Sequence, residues 1–224
     1  MPVDPNAEIE ISAYDWVPPF ARGLVRDLRI RWALEEAGLS YRQRLLDVRA
    51  ARPEDYLQEQ PFGQVPAYSD SEVRMFESGA IVLHIAERSE VLMPRDAQGR
   101  ARATTWVLAA LNSIEPFITM LIVIDVMNAG AEWAKGARPE VDKVLRLRLG
   151  QLSTWLGDRE WLEDRFTVGD LIMATVLEAL RHAGTLADFP SLAAHKARCQ
   201  ARPAYQAALA AQLAAFEDRP AAAE

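Results

Sequence analysis

The chain has 224 residues, of which 50% are hydrophobic and 25% charged, and its formal net charge is -7. These values fit a globular protein of one large or two modest domains, and the acidic balance argues against a nucleic-acid partner. The single cysteine, Cys199, excludes a disulfide framework and a multi-cysteine metal site, and the 3 histidines share no ligand spacing.

The ends and apolar runs of the chain suggest where the protein resides. The first residues contain no apolar core typical of a signal peptide. The longest apolar run, Phe117–Ile124, is too short to span a bilayer and predicts a buried helix instead. We therefore predict a cytoplasmic, metal-free protein without a membrane segment.

The first part of the chain alternates strand and helix patterns. Ile9–Ala13 alternates apolar and polar residues, which is typical of a strand with one buried face. Asp15–Phe20 contains two adjacent prolines and predicts a loop. Helix formers follow over Ala21–Ala37 and stop at Gly38, and Tyr41–Val48 has the pattern of a second strand.

The next segments complete a small sheet. Pro53–Glu59 predicts a short helix or turn, Val65–Tyr68 and Val73–Phe76 predict two strands about a polar turn, and Ser78–Glu87 predicts a helix. A right-handed crossover would make the first two strands parallel, while the last two would form a hairpin. The order therefore predicts a mixed four-stranded sheet with helices on its faces.

Beyond residue 100 the strand patterns vanish and helical patterns continue to about Phe216. Pro116 predicts a kink or a restart of one helix, and Thr167–Asp170 has the form of a capping box. The predicted fold class is α/β plus all-α, with a thioredoxin-like domain followed by a helical bundle domain. The predicted boundaries are 7–90 and 101–217 for the two domains, 91–100 for the linker and 218–224 for a disordered tail.

Two short motifs predict a site for a small peptide. Gln60–Tyr68 leads into a strand through a Val-Pro bond, and Phe76–Ile81 runs from a strand into a helix that begins with a hydroxyl residue. An extended ligand could pair with free backbone beside Val65, while its carboxylate lies at the helix N-terminus near Ser78. Ser78 is equally a good N-cap without any ligand.

The combination of domains and motifs resembles the cytosolic glutathione S-transferase superfamily over nearly the whole chain. Each motif is weak alone, but their order and spacing are specific, and Gly169 is a minor departure because the family more often has alanine there. The matching segments are Ala33–Leu39, Pro61–Pro66, Glu77–Ser78, Ile85–Arg88 and Phe166–Asp170.

The resemblance implies roles for five residues in binding glutathione, which would be a co-substrate. Pro66 would follow a cis peptide bond, and the backbone of Val65 would pair with the cysteinyl part of the tripeptide. Glu77 and Ser78 would hold the γ-glutamyl end. Gln64 would reach the glycyl end, or it is a solvated turn residue.

Stabilising the glutathione thiolate requires a nearby hydrogen-bond donor, cation or helix N-terminus, and the sequence offers several candidates for this group. The segment 14–23, where the family carries this group, has no Ser, Thr or Cys, and Pro18 stands where some classes have Ser. The absence of Cys there excludes the cysteine-dependent classes. Tyr14 is the candidate donor, or it serves only in packing; Ser12 is a weaker option, and backbone amides at the helix start are a third.

Three arginines, Arg22, Arg26 and Arg29, would share one face of the first helix, with Arg22 nearest the sulfur. They could stabilise an anion, or they form a solvated basic face.

A pocket for the second substrate is expected between the domains. Trp16 and Phe20 would line one side, and Trp106, Ser113 and Phe117 the other; Trp106 and Phe117 also suit a core position. The predicted function is a glutathione transferase whose bound thiolate attacks a small hydrophobic electrophile or a peroxide, in a homodimer that the resemblance implies. Two alternatives stay open: a glutathione-dependent isomerase or disulfide reductase, and a non-catalytic regulatory protein.

Overall fold

The computed structural model describes residues 3–216. Its contacts divide the chain into two compact units, Met1–Leu92 together with Arg202–Glu224, and Met93–Ala201. The end of the chain therefore groups with the first unit, whereas the predicted helical domain ran to residue 217. The predicted tail at 218–224 lies outside the described residues.

The first unit contains the predicted four-stranded sheet, in the order β2-β1-β3-β4. β1 and β2 are parallel, and β3 runs antiparallel to both β1 and β4, as the crossover and the hairpin predicted. β3 begins two residues later than predicted, because the Val65-Pro66 bond is cis and leaves the ladder. The strands are β1 Ile9–Tyr14, β2 Tyr41–Leu46, β3 Ala67–Ser69 and β4 Arg74–Phe76.

Three helices of this unit follow the predicted order: α1 Asp27–Ala37, α2 Glu54–Glu59 and α3 Ser78–Ala86. α1 ends at Gly38, whose positive φ of 67° permits the left-handed stop. The predicted start of α1 at Ala21 is wrong by six residues. Pro19–Ala21 forms a separate single 3-10 turn, and Gly23, with φ 75°, breaks the path between the two.

The fourth helix of the first unit is α9, Pro203–Ala214, which packs along α1. Tyr205 meets Trp32 edge to face with ring centres 4.9 Å apart, and the Arg202 guanidinium binds both carboxylate oxygens of Glu36 at 2.6 and 2.8 Å. Farther along, Gln212 is fully buried. The last helix therefore covers the buried side of the first one.

The buried Gln212 amide explains the late start of α1. Its Nε2 donates to Asp27 Oδ1 at 2.6 Å, and its Oε1 accepts from the Gly23 amide at 3.2 Å. The other Asp27 oxygen accepts from Arg31 Nε at 2.7 Å, and all three of these side chains are buried. Side chains distant in sequence thus fix the loop before α1.

The second unit is helical throughout its regular structure. A continuous helical stretch, 97–127, contains two wider π-helical segments at 110–114 and 123–127, and Pro116 lies in the first turn of α5. The stretch is long and apolar enough to cross a bilayer, a test that core helices of soluble proteins also pass. Its helices are α4 Ala97–Ala109 and α5 Glu115–Ile122, followed by α6 Glu132–Leu156, α7 Val168–Glu178 and α8 Pro190–Gln200.

The apolar run 117–124 differs from its prediction. Only Ile118, Leu121 and Ile124 are buried there, so the run is a helix with one buried side rather than a buried helix. Their spacing of three residues places them on one side of the helical stretch.

The core of the second unit is built around α7, whose capping box is present as predicted. The Thr167 hydroxyl accepts from the Gly169 amide at 3.2 Å, and Asp170 Oδ2 accepts from the Thr167 amide at 2.9 Å. Asp170 Oδ1 also accepts from the Leu162 amide, at 2.9 Å. A buried carboxylate therefore fixes both the start of α7 and the loop before it.

Candidate functional site

The centre of the candidate site is the cis Val65-Pro66 peptide bond that was predicted. Because β3 begins at Ala67, Val65 lies just outside the sheet. Within residues 3–216 its backbone N–H and C=O make no hydrogen bond. This free donor and acceptor are what an extended peptide needs to pair with the end of a strand.

Arg52 stabilises the loop that contains Val65 through hydrogen bonds to backbone carbonyls. The Arg52 Nε donates to the Gly63 carbonyl at 2.8 Å, and its Nη1 donates to the Asp47 carbonyl at 2.7 Å. Gly63 has a φ of 64°, which other residue types adopt at a cost. Gln64 is exposed, so its side chain is accessible to a ligand. The backbone carbonyl of Gln64 accepts a hydrogen bond from the Tyr56 hydroxyl at 2.6 Å.

Ser12 cannot act as the thiolate donor. Its side chain is only 3% exposed, and its hydroxyl accepts from the Ala67 amide at 2.7 Å and lies 2.7 Å from the Tyr56 hydroxyl. The proton of this hydroxyl and one of its lone pairs are engaged inside the unit. The weaker option raised by the sequence is therefore wrong, and Ser12 belongs to the support of the loop.

The second half of the site is the N-terminus of α3. The β3–β4 register pairs Ala67 with Phe76, so the Val65-Pro66 bond and the Glu77-Ser78 step meet at the same end of the hairpin. The first backbone bond of the helix runs from the Ile81 amide to the Glu77 carbonyl. The amides before Ile81 are thus available to an anion, and the helix dipole favours one there.

The sequence predicted Ser78 as an N-cap of α3, but in the structure Glu77 is the N-cap. Ser78 is the first residue of α3 and is buried, whereas Glu77 is the N-cap and is exposed. Glu77 has a φ of 71°, a conformation that costs about 1–3 kcal/mol for a residue with a side chain. Such strain is concentrated at functional sites.

Arg29 is a site residue that the sequence did not distinguish from its neighbours. It is 5% exposed, and its Nη1 donates to the Ser78 hydroxyl oxygen at 3.2 Å. Arg22 and Arg26 precede α1 and are exposed, so the three arginines do not share one helical face. A guanidinium beside Ser78 adds a positive charge where a carboxylate would lie.

Tyr14 lies at the end of β1 and packs against the cluster that contains Val65, Leu46 and Tyr56. The Arg52 guanidinium is 5.1 Å from the centre of its ring. The structure thus brings Tyr14 to the apolar cluster that includes Val65, the residue predicted to bind the cysteinyl part of the ligand.

The predicted pocket residues lie in both units. In the first unit, the Trp16 ring is partly buried beneath the Arg49 guanidinium, 5.7 Å from its centre, and Phe20 is 61% exposed. In the second unit, Ser113 is exposed and Phe117 is partly buried. The pocket that would join the two groups stays a prediction.

Trp106, the remaining pocket residue, packs within the second unit. Its ring centre is 5.5 Å from that of Trp155, and its indole N–H donates to Glu163 Oε1, which also accepts from Arg102. Burial raises the pKa of Glu163, but the hydrogen bonds from Arg102 and the Trp106 indole, with the nearby arginine charges, together outweigh it, so the pKa lies below its ordinary value. These contacts favour the core position that the sequence left open for Trp106.

Neither a metal site nor a reactive cysteine is evident around the Val65-Pro66 loop. Within residues 3–216 no group of three or more His, Cys, Asp or Glu side chains is arranged to hold a metal ion. Cys199 is buried in the second unit, where its sulfur lies 3.7 Å from His195 Nε2. The polar groups that the structure brings to this loop and to the start of α3 include the Tyr56 and Ser78 hydroxyls, backbone amides and the Arg29 guanidinium.

Comparison with known proteins gives a consistent result. Residues 20–87 match the family described as "Glutathione S-transferase, N-terminal domain". Glutathione S-transferase 4 of Zea mays is 30% identical over 212 residues, which cover 87% of this chain and 89% of the maize protein. The disulfide-bond oxidoreductase YfcG of Escherichia coli is 27% identical over 202 residues, or 83% of this chain and 91% of that protein.

A solved structure has the same fold. The crystal structure of a glutathione transferase family member from Pseudomonas fluorescens, with two glutathione bound, superimposes with a TM-score of 0.78 at 23% identity. The alignment covers 91% of this chain and 92% of the other.

Proposed function

Because this chain belongs to the glutathione S-transferase family, we propose that it binds glutathione at the Val65-Pro66 loop and the start of α3, and that it transfers the bound thiolate to a second substrate. The observation that carries the proposal is the free backbone of Val65 beside the N-terminus of α3, where buried Ser78 accepts a hydrogen bond from buried Arg29 of α1. These groups match an extended peptide with an α-carboxylate at one end.

Each part of glutathione would have a partner of suitable chemistry. The cysteinyl backbone would pair with the Val65 N–H and C=O. The γ-glutamyl carboxylate would lie at Ser78 and the first amides of α3, with Arg29 supplying charge, and exposed Glu77 would meet the γ-glutamyl ammonium. Exposed Gln64 would reach the glycyl end.

The glutathione thiolate would attack a small hydrophobic electrophile or a peroxide. On a chlorinated aromatic a C–S bond would form as the C–Cl bond breaks and chloride leaves; on a hydroperoxide an S–O bond would form as the O–O bond breaks, which oxidises the thiolate to a sulfenic acid and releases an alcohol. No covalent bond between enzyme and substrate is required, so the protein's contribution would be orientation of the tripeptide and a lowered thiol pKa. Tyr14, which packs against the cluster that contains Val65, would donate a hydrogen bond to the sulfur. We further expect a cytoplasmic homodimer, as is common in the family.

A disulfide reductase is a second candidate, and one observation favours it. The chain is 27% identical to the E. coli disulfide-bond oxidoreductase over 91% of that protein. A reductase on this scaffold would use the thiol of bound glutathione, because no Cys lies between Tyr14 and Gly23. An isomerase would use the same tripeptide site, and a regulatory protein would bind at the same site without turnover.

The proposal is tested by calorimetric titration of glutathione into the wild-type protein and Ser78→Ala. We expect Ser78→Ala to weaken binding about tenfold or more, because the ligand carboxylate loses a hydrogen-bond donor inside a buried, charged pocket. Ser153→Ala is the matched control, since it removes a hydroxyl that bonds to Ser191 in the second unit, and its affinity should stay within about twofold.

No glutathione binding by the wild-type protein, or equal affinity in Ser78→Ala, would overturn the proposal. Activity separates the remaining candidates. Turnover of a chlorinated aromatic or a hydroperoxide supports the transferase, turnover of a mixed disulfide supports the reductase, and binding without turnover supports the regulatory alternative.

A further inference from the structure

A continuous chain of hydrogen bonds encloses the cis peptide bond. The Ala67 amide donates to Ser12 Oγ at 2.7 Å, Ser12 Oγ lies 2.7 Å from the Tyr56 hydroxyl, and Tyr56 donates to the Gln64 carbonyl at 2.6 Å. Because a carbonyl can only accept, the Tyr56 proton points to Gln64. The Ser12 proton therefore points to Tyr56, and every group in the chain has a defined direction.

The two ends of this chain are the residues on either side of Val65-Pro66. One end is the carbonyl of Gln64, directly before Val65, and the other is the amide of Ala67, directly after Pro66. Two side chains from β1 and α2 therefore span the backbone that is proposed to bind glutathione.

Ser12 takes the place of a ladder bond at this point. β1 pairs with β3 at Glu10–Ser69 and Ile11–Tyr68, and the next step of this register would set Ser12 opposite Ala67. The Ala67 amide bonds instead to the side chain of Ser12. The end of β3 is thereby held without consuming backbone groups of the neighbouring Val65.

Tyr56 is suited to its place in the chain. It is fully buried against Leu46, Val65 and Ala67, and burial raises the pKa of its hydroxyl above the ordinary value, although the bond to Ser12 opposes this. The phenol therefore keeps its proton at neutral pH and continues to donate to Gln64.

We propose that Ser12 and Tyr56 are positioning residues that hold the Val65 backbone in the orientation that glutathione requires. The inference rests on the proposed function. Backbone pairing with a peptide needs the N–H and C=O of one residue to be aimed together, and ordering them only on binding would cost affinity. The two hydroxyls fix this geometry in advance without contacting the ligand.

The test compares Tyr56→Phe and Ser12→Ala with Tyr68→Phe, by calorimetric titration of glutathione and by thermal unfolding. Tyr68 is the matched control because it is a buried tyrosine of the same sheet, whose hydroxyl donates to Asp70 in the hairpin turn at 2.8 Å. We expect the dissociation constant to rise about tenfold in Tyr56→Phe and Ser12→Ala, the effect of one lost buried hydrogen bond, and less than about twofold in Tyr68→Phe. Tyr68→Phe should lose about as much thermal stability as Tyr56→Phe and Ser12→Ala.

Kinetics provide a readout that a general loss of stability would not move. In Tyr56→Phe and Ser12→Ala the KM for glutathione should rise, while kcat and the KM for the second substrate stay within about twofold. Ser12→Thr, which keeps the hydroxyl, should restore glutathione affinity. If Tyr56→Phe fails to fold, Ser12→Ala and Ser12→Thr alone decide the inference.

Equal glutathione affinities in Tyr56→Phe, Ser12→Ala and Tyr68→Phe would overturn the positioning role and leave the proposed function intact. An absence of binding by the wild-type protein would remove the proposed function, and the positioning role with it.

Discussion

Tyr14 is the residue that we propose activates the glutathione thiol. It ends β1, its ring lies against the Val65 cluster, and the guanidinium of Arg52 is held over its face. Ser12, the other hydroxyl of that strand, is occupied by Ala67 and Tyr56. Tyr14 carries the one side-chain hydroxyl of the sequence segment 14–23, which is why we propose it as the donor to the sulfur.

Tyr14→Phe should lower the turnover of a chlorinated aromatic about a hundredfold and leave glutathione affinity within about twofold, because only the thiolate loses its donor. Without that donor the thiol pKa rises toward its ordinary value, so the rate should increase over a higher pH range than in the wild-type protein. The measurement is a pH–rate profile at saturating glutathione. An unchanged turnover and profile would remove Tyr14 and favour the amides near α1.

At this scale the sequence predicted local backbone features better than side-chain environments. The cis Val65-Pro66 bond and the helix start at Ser78 could be predicted because short local motifs determine them. Arg29 could not be separated from Arg22 and Arg26, because its burial against Ser78 depends on how α1 and α3 pack. Tertiary contacts of this kind leave no local pattern.

At the scale of elements, packing at the start of α7 explains why this chain has Gly169 where the family more often has alanine. A Cβ atom at this position would lie 2.6 Å from Trp106 Cβ, well inside van der Waals contact. Trp106 cannot move away easily, because its indole N–H is bonded to Glu163 and its ring packs on Trp155. The glycine and the tryptophan are therefore complementary, and the residue common in the family does not fit here.

Gly169→Ala should lower the free energy of unfolding by about 1–3 kcal/mol, the usual cost of overpacking a core. Gly136→Ala is the matched control: it lies in α6, where an added Cβ meets nothing within 4 Å, and it should stabilise the protein by about 0.5–1 kcal/mol. Urea unfolding of both variants measures the difference. If Gly169→Ala is as stable as the wild-type protein, Trp106 does not restrict this position.

The order and pairing of elements could be predicted from the sequence, but not all of their boundaries. Alternation and turn residues determined the sheet and its hairpin. The start of α1 was missed because residues 21–26 are helix formers, apart from Gly23, whose path is fixed by Gln212, nearly two hundred positions later. Propensity cannot reveal a constraint from so distant a residue.

At the scale of the whole molecule, α9 is a structural part of the sheet unit. It covers Trp32, binds Glu36 through Arg202, and inserts Gln212 beside Asp27. Without it, the buried aromatic ring of Trp32 and the Asp27–Arg31 pair would face solvent on one side.

A chain that ends at Ala201 should therefore unfold at a lower temperature than the 224-residue chain, by about 10 °C or more. Losing the burial of Tyr205 and Trp32 alone corresponds to about 3–5 kcal/mol, and each kcal/mol shifts Tm by about 2–4 °C at this size. Scanning calorimetry of both chains is the measurement, with a chain that ends at residue 216 as the control. The same Tm for the chain ending at Ala201 and the control would show that α1 needs no cover from α9.

The return of α9 to α1 also has a consequence for biosynthesis. The 1–92 segment is synthesised before α9, the helix that covers α1 and begins only at Pro203. At translation rates of about 5–20 residues per second, an interval on the order of ten seconds separates the synthesis of α1 from that of α9. During that interval Trp32 and the Asp27–Arg31 pair lack the contacts of α9, so the sheet unit completes its folding only after α9 has been synthesised.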